Sequence, residues 1–232
     1  MTTRNLDSLS SDRTRRFSDE LNRKSLRQQI YEAIEHQIIN CELLPGSRLA
    51  EELIAKEFGV SRSPVREALS DLERTGYVER SSSRDRRVIA ISERYIADIY
   101  AVWTLLECER LYQVSLVANS EVVTRLDELL RLMSKAKDTS SLLPEFHDLL
   151  QQGCTNKHLE LLCTDHRRFI VWLQNLFFEY PMSAERKALE DHKKIVERFK
   201  FKDREGLRDV VASHLAWQRD MVIASWRKQQ AA

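Results

Sequence analysis

A chain of 232 residues with 37 Lys and Arg against 36 Asp and Glu has a net charge of +1. It is long enough for one large or two ordinary domains, and its bulk charge does not announce a polyanionic partner, so any nucleic-acid footprint must come from local clustering. No apolar run reaches bilayer-spanning length and the opening MTTRNLDSLSSDRTRRFSDE has no apolar signal core, so the expectation is a soluble cytoplasmic protein with no membrane partner. Cys41, Cys108, Cys154 and Cys163 are widely spaced with no C-x-x-C pair, which argues against a disulfide framework or a cysteine zinc site. Only 5 Gly and 4 Pro occur, which predicts long helices.

Residues 1–24 are polar, rich in Ser and Arg, and without apolar periodicity; they read as an arm whose Arg13, Arg15 and Arg16 either touch phosphates or have no role. From Leu26 the pattern turns helical, with Leu26, Ile30, Ile34 and Ile38 on one face. Leu-Pro-Gly at 44–46 ends this helix. A short helix over about 50–58 follows, closed by Gly59, a residue suited to the left-handed position past a helix end. The next helix runs from Ser61, a candidate cap, to Thr75, with Pro64 in the first turn where a missing N–H is harmless. Gly76 ends it, and Tyr77 to Ile91 reads as two short strands around the polar tip SSSRDRR. Three helices and a hairpin make a winged helix-turn-helix over residues 25–92. Beyond Ser92 the chain reads as helix after helix, with breaks near 119–120, 139–144, 153–157, 180–183 and 202–206. Six amphipathic helices predict an antiparallel all-helical bundle over 93–232, so the fold class is mainly α.

On the helix from Ser61, Arg62, Ser63, Arg66 and Ser70 share one arc, while Val65, Ala68, Leu69 and Leu72 occupy another. The helix can bury one side and aim two guanidiniums outward from its N-terminal half, the part of a recognition helix that reaches base edges. Ser61, Ser63 and the free N–H groups of the helix start suit phosphate. Arg84, Arg86 and Arg87 concentrate charge at the hairpin tip, where they could enter a minor groove or clamp its backbone. The alternative is that these arginines solvate a helix face and pair with Glu67, Asp71 and Asp85; Glu67 in particular reads as an ion-pair partner that orients an arginine. The ordered set of helix, turn, helix and basic wing favours double-stranded DNA.

The stretch Pro45 to Arg80 carries P-G-x-x-L, then G-V-S-R-x-P-V-R-E-A-L, then L-x-x-x-G in order. It resembles the DNA-binding domain of GntR-family bacterial repressors, and the resemblance implies that Arg62, Ser63 and Arg66 read bases and phosphates. Two departures from that family are Arg86, where many relatives have a wing-tip glycine, and Glu52, where many have an arginine. The second half is similar to the FCD-type ligand-sensing domain of the FadR branch through IYAVWTLLE (99–107), Phe146-His147, Asn156, Asp191-His192-x-x-Ile195 and Ser213-His214-Leu215.

His147, His192 and His214 each lie in an apolar stripe that should face the bundle interior. His192 and His214 are both 11 residues from Asp203, the expected turn between two helices, so both sit roughly 16 Å from that turn. Three neutral imidazoles on separate helices suit zinc, nickel or another divalent transition metal; the other reading is three core histidines, each satisfied by a hydrogen bond. In metal-binding relatives an aspartate one turn before the first histidine completes the set, and here that position is Leu143. Asp191 adjoins His192 but is expected to point away along the helix. Relatives often carry a carboxylate-binding arginine where this chain has Trp103, so Trp103, with the three histidines, marks an effector pocket for an uncharged, aromatic or larger molecule, or else simply fills the core.

The leading reading is a ligand-responsive transcription regulator, a repressor by family likeness. It would bind a palindromic operator as a homodimer, with effector or metal in the bundle changing DNA binding. The alternatives are a metal-dependent helical enzyme with a basic DNA-binding module, and an architectural DNA binder without ligand. No nucleophile motif such as G-x-S-x-G supports catalysis, and the reading is of a protein that is not an enzyme.

Overall fold

The computed structural model describes residues 25–82, 85–136, 139, 141–177 and 182–231. The arm expected over 1–24 and Arg84 of the hairpin tip lie outside the described residues. The chain divides into two compact units, residues 1–90 and 91–232.

In the first unit, Ser25 caps α1 (Leu26–Ile39), its hydroxyl accepting from Gln28 N at 3.2 Å. Ile30, Ile34 and Ile38 recur every fourth residue and are fully buried. Helix α2 (Glu51–Phe58) stops at Gly59, whose φ of 65° an L side chain would resist. Helix α3 (Arg62–Thr75) buries Val65, Ala68, Leu69 and Leu72 against α1 and α2, and ends at Gly76 with φ 91°. Ser61 occupies the cap position of α3 but makes no side-chain cap bond, so its hydroxyl is not spent on the helix. Strands β1 (Val78–Ser82) and β2 (Asp85–Val88) form an antiparallel hairpin in which Val78 faces Val88 and Arg80 faces Arg86. The Pro-Gly segment after α1 adds a third rung on the far edge of β2: Gly46 N donates to Val88 O at 2.9 Å, Val88 N to Ser47 O at 2.9 Å, and Leu49 N to Arg86 O at 2.8 Å.

The second unit is all helix among the described residues. It comprises α4 (Glu93–Val117), α5 (Ser120–Met133), α6 (Leu143–Gln151), α7 (Lys157–Phe177), α8 (Met182–Lys200) and α9 (Arg204–Gln230). Polar caps set most starts: Ser92, Asn119, Asn156 and Asp203 each accept a backbone N–H at 3.0 to 3.1 Å. Pro144 sits in the first turn of α6. Helix α4 is the centre, packed by α6, α7, α8 and α9. Trp172, Phe146, Phe199, Tyr100 and Ile96 are among the fully buried side chains of its core. None of the described helices is long and apolar enough to cross a membrane.

Candidate functional site

The first unit presents a cleft of about 930 Å³ between the start of α2, the exposed arc of α3 and the wing. Arg48, Arg62, Arg66, Arg80 and Arg86 line it, with Glu51 and Glu52 at one wall. Ser61, Arg62, Ser63, Arg66 and Ser70 are all exposed while the apolar arc of α3 is buried, so the two faces are cleanly separated. The arginines are held by carboxylates. Arg66 donates to Glu51 at 3.1 to 3.3 Å. Arg62 reaches Glu52 at 2.7 Å and Glu51 at 3.3 Å. Hydrogen bonding from Arg66 is the main reason the Glu51 carboxyl sits below its usual range. Glu67, expected to orient an arginine, instead accepts from Ser63 Oγ at 3.4 Å; Glu51 has the orienting place.

The wing corrects one expectation. Arg86 is not at an exposed tip: it is 7% exposed, inside the unit. Its guanidinium donates to Glu51 at 2.8 Å, to Ser70 Oγ at 3.0 Å and to Glu73 at 3.4 Å. The cause is strand alternation. Val88 is fully buried, and Arg86, two residues earlier, shares its face. Arg86 therefore fastens the wing to α2 and α3, whereas Arg87 faces outward, bonded to Asp85 at 3.1 Å and Gly46 O at 3.3 Å. Ser70, read from sequence as outward-facing, spends its hydroxyl on Arg86 and on Arg66 O.

In the second unit α6, α8 and α9 bring the three histidines together. Ring centroids of His147 and His192 are 5.2 Å apart, and those of His192 and His214 are 5.0 Å apart. Since His192 and His214 are equidistant from the turn at Asp203, their contact shows that α8 and α9 run antiparallel. His192 is 3% exposed, and its Nε2 has no hydrogen-bond partner among the described residues. Burial, then the neighbouring imidazoles, push His192 well below its ordinary value; burial, then His214 and Arg167, lower His147 to about 3. These two rings are thus neutral, with a lone pair on offer.

Asp191 does not point away. It is buried, and its Oδ2 lies 3.3 Å from His214 Nδ1, with Lys187 Nζ at 2.5 Å from the same carboxylate. The carboxylate reaches across to α9 instead of lying along α8. Burial raises its pKa, but the bonds from His214 and Lys187 outweigh that and hold it below the usual range. An ionised carboxylate only accepts, so in the neutral ring the proton lies on Nδ1 of His214 and the Nε2 lone pair faces Gln218 Nε2 at 3.0 Å.

The histidines line an inner cavity of about 130 Å³. His147, Arg167, Gln174, His192 and Gln218 also line an outer cleft of about 730 Å³. Trp103 is in the inner wall, stacked on His166 at 6.2 Å with Arg110 5.4 Å above its ring. Arg110 is neutralised by the buried Glu107. Arg167, which sequence reasoning missed, donates to Gln151 Oε1 at 3.0 Å and brings a guanidinium to both cavities. Its signal was only its place on the apolar-striped α7, one helix among six, with nothing to say which turn meets the histidines.

Residues 26–88 match the family of bacterial regulatory proteins, gntR family, and residues 98–216 match the FCD domain. The chain is 31% identical over 193 residues to the uncharacterized HTH-type transcriptional regulator YdhC of Bacillus subtilis (strain 168), covering 80% of this chain and 86% of that one. It is 26% identical over 206 residues to the gluconate operon transcriptional repressor of the same organism, covering 84% of each. Among solved structures, E. coli McbR/YncC shares the fold with a TM-score of 0.64 at 20% identity, over 88% of this chain and all of that one. The matched relatives are regulators and not enzymes, and the chain belongs to the GntR family of DNA-binding transcription regulators, with an FCD domain as its effector-sensing half.

Proposed function

We propose that this regulator binds a palindromic operator as a homodimer and represses transcription, with DNA bases and phosphates contacted by Arg62, Ser63 and Arg66 of α3. Ser61, the start of α3, Arg84 and Arg87 would take phosphates, and Arg86 would hold the wing in place. The observation that carries this reading is the division of α3 into a buried apolar arc and an exposed arc whose guanidiniums sit at its N-terminal end. One winged helix covers a half-site, so two copies supply affinity for a palindrome. Val102 and Leu105, one turn apart on α4 and 45% and 71% exposed, support a second copy against the helical unit. Repression is the mode in the name of the gluconate operon relative.

The effector, in this reading, enters the cavity of α6, α7, α8 and α9 and changes DNA affinity. Arg167 supports an anionic group on that effector in place of the uncharged molecule that Trp103 alone suggests. The donor set also fits zinc or nickel: His147, His192 and His214 would hold the ion, and the orphaned Nε2 of His192 supports it. Among the described residues no three His, Cys, Asp or Glu side chains are set together as a metal-holding group, so the rings would turn and Gln218 would yield its place at His214. Asp191 would stand behind His214 as the carboxylate that orients it. A bound ion supplies an open position for water or an acid group.

Selection from a random DNA pool tests the DNA reading. Wild type should enrich a short palindrome, and Arg66→Ala should lose about 10- to 100-fold in affinity for it, the worth of a bidentate base contact. Failure of wild type to enrich any sequence at low salt would overturn it.

A further inference from the structure

We propose that Glu52 is an internal counterion of the DNA surface: its carboxylate takes the place of a DNA phosphate at Arg62 in the free protein and so restrains binding to DNA in general. This rests on the reading that Arg62 meets DNA. The two carboxylates that hold Arg62 differ in kind. Glu51 has a side chain only 15% exposed and is gripped by Arg66 and Arg86 as well, which makes it a fixture of the fold. Glu52 is 74% exposed and, among the described residues, accepts from Arg62 alone at 2.7 Å, with half of the Arg62 side chain also in water. Such a pair is weak enough to open and strong enough to be felt.

Carboxylate and phosphate oxygens compete for the same guanidinium N–H groups. A phosphate arriving at Arg62 must displace Glu52, and the displaced carboxylate stays beside the duplex, so the net charge brought to that phosphate is near zero. The linked observable is the salt dependence. Each phosphate neutralised contributes about 0.9 to the slope of log K against log salt, and Glu52 cancels about one such contribution for each DNA-binding unit. A restraint of this kind has a use, because random DNA vastly outnumbers an operator and is bound through phosphates alone. Contacts from Arg66 to base edges are untouched by it, since Arg66 pairs with Glu51 and not Glu52.

The test is fluorescence anisotropy with a labelled duplex of random sequence, over a series of salt concentrations. It uses the full chain as wild type, Glu52→Gln, Arg62→Gln and the double variant. Glu52→Gln is expected to bind about 2- to 5-fold tighter at low salt and to steepen the slope by about 1 per unit. In the Arg62→Gln background the same change should gain clearly less, because only a carboxylate near the duplex is removed and no guanidinium is released. Equal affinity and slope for wild type and Glu52→Gln would overturn the proposal. So would a gain of the same size without Arg62, which would mean bulk charge rather than exchange. If Arg62→Gln alone binds as wild type does, the role of Arg62 at DNA is what fails, and the counterion falls with it.

Discussion

The arginine cleft of the first unit and the histidine cavity of the second are both clusters of nitrogen bases, and they are stabilised in opposite ways. In the cleft every guanidinium keeps its charge, and carboxylates at 2.7 to 3.4 Å balance it. Charge there is affordable because most of the cluster reaches water. In the cavity, burial removes charge instead, so that His147 and His192 are held neutral. The difference teaches what each can bind. A surface of balanced charges takes a polyanion by exchanging partners, whereas a buried set of lone pairs takes a cation or a small polar ligand by filling an unsatisfied place.

The sharpest way to break this contrast is His192→Leu. Removal of a buried nitrogen without a partner should leave metal-free stability unchanged or raise it by up to about 2 kcal/mol, while the zinc uptake proposed above should be lost. Melts in chelator and calorimetric zinc titration read the two effects. Unchanged zinc affinity would remove His192 from the site. Next in size, Asp191→Asn should weaken zinc binding by about 10- to 100-fold through the loss of orientation at His214, and an unchanged affinity would leave Asp191 a purely structural group.

On the arginine side, Arg86→Ala strips one hydrogen-bonded charge from Glu51 and Glu73, whose remaining arginines soften the loss. The expected cost is about 1–3 kcal/mol in urea unfolding, and no measurable cost would mean the wing is held by other contacts. The smallest effect is in pH. Arg66, Arg80 and Arg27 hold the carboxyls of Glu51, Glu73 and Asp71 below their usual ranges. The unfolded chain therefore takes up protons first as pH falls. Stability from these pairs is full above about pH 4.5, the ordinary glutamate value, and drains below it. Amide signals of α2 and α3, followed by NMR on acidification, should report this loss, and Glu51→Gln should reduce it.

Most of the architecture was legible because it depends on local chemistry. The four-residue spacing of Ile30, Ile34 and Ile38, the glycines at 59 and 76, and the helix breaks at Asn119 and Asp203 each act within a turn or two of chain. The meeting of His192 and His214 was legible for a related reason: equal distance from a turn is a local count. Arg86 was misplaced although the information was present, because period-two alternation from Val88 sends it inward; the run of charges at 84–87 concealed that period. Asp191 and Arg167 were not legible. Their positions depend on a rotamer and on which turn of one helix faces which turn of another, and neither leaves a mark in sequence spacing. Glu51 was hidden similarly, since its three arginines come from α3 and β2, 11 to 35 residues away.

The third rung that Gly46 to Leu49 lays along β2 has a consequence for the thermodynamics of association. A two-stranded hairpin alone is marginally stable in water, and a wing of that kind would be ordered only on meeting its target, at an entropic cost charged against affinity. With both edges of β2 hydrogen-bonded, the backbone beneath Arg86 and Arg87 is ordered during folding. In the DNA reading proposed above, this part of the hairpin would meet DNA with its backbone already set, and it would have little ordering entropy left to lose in the complex.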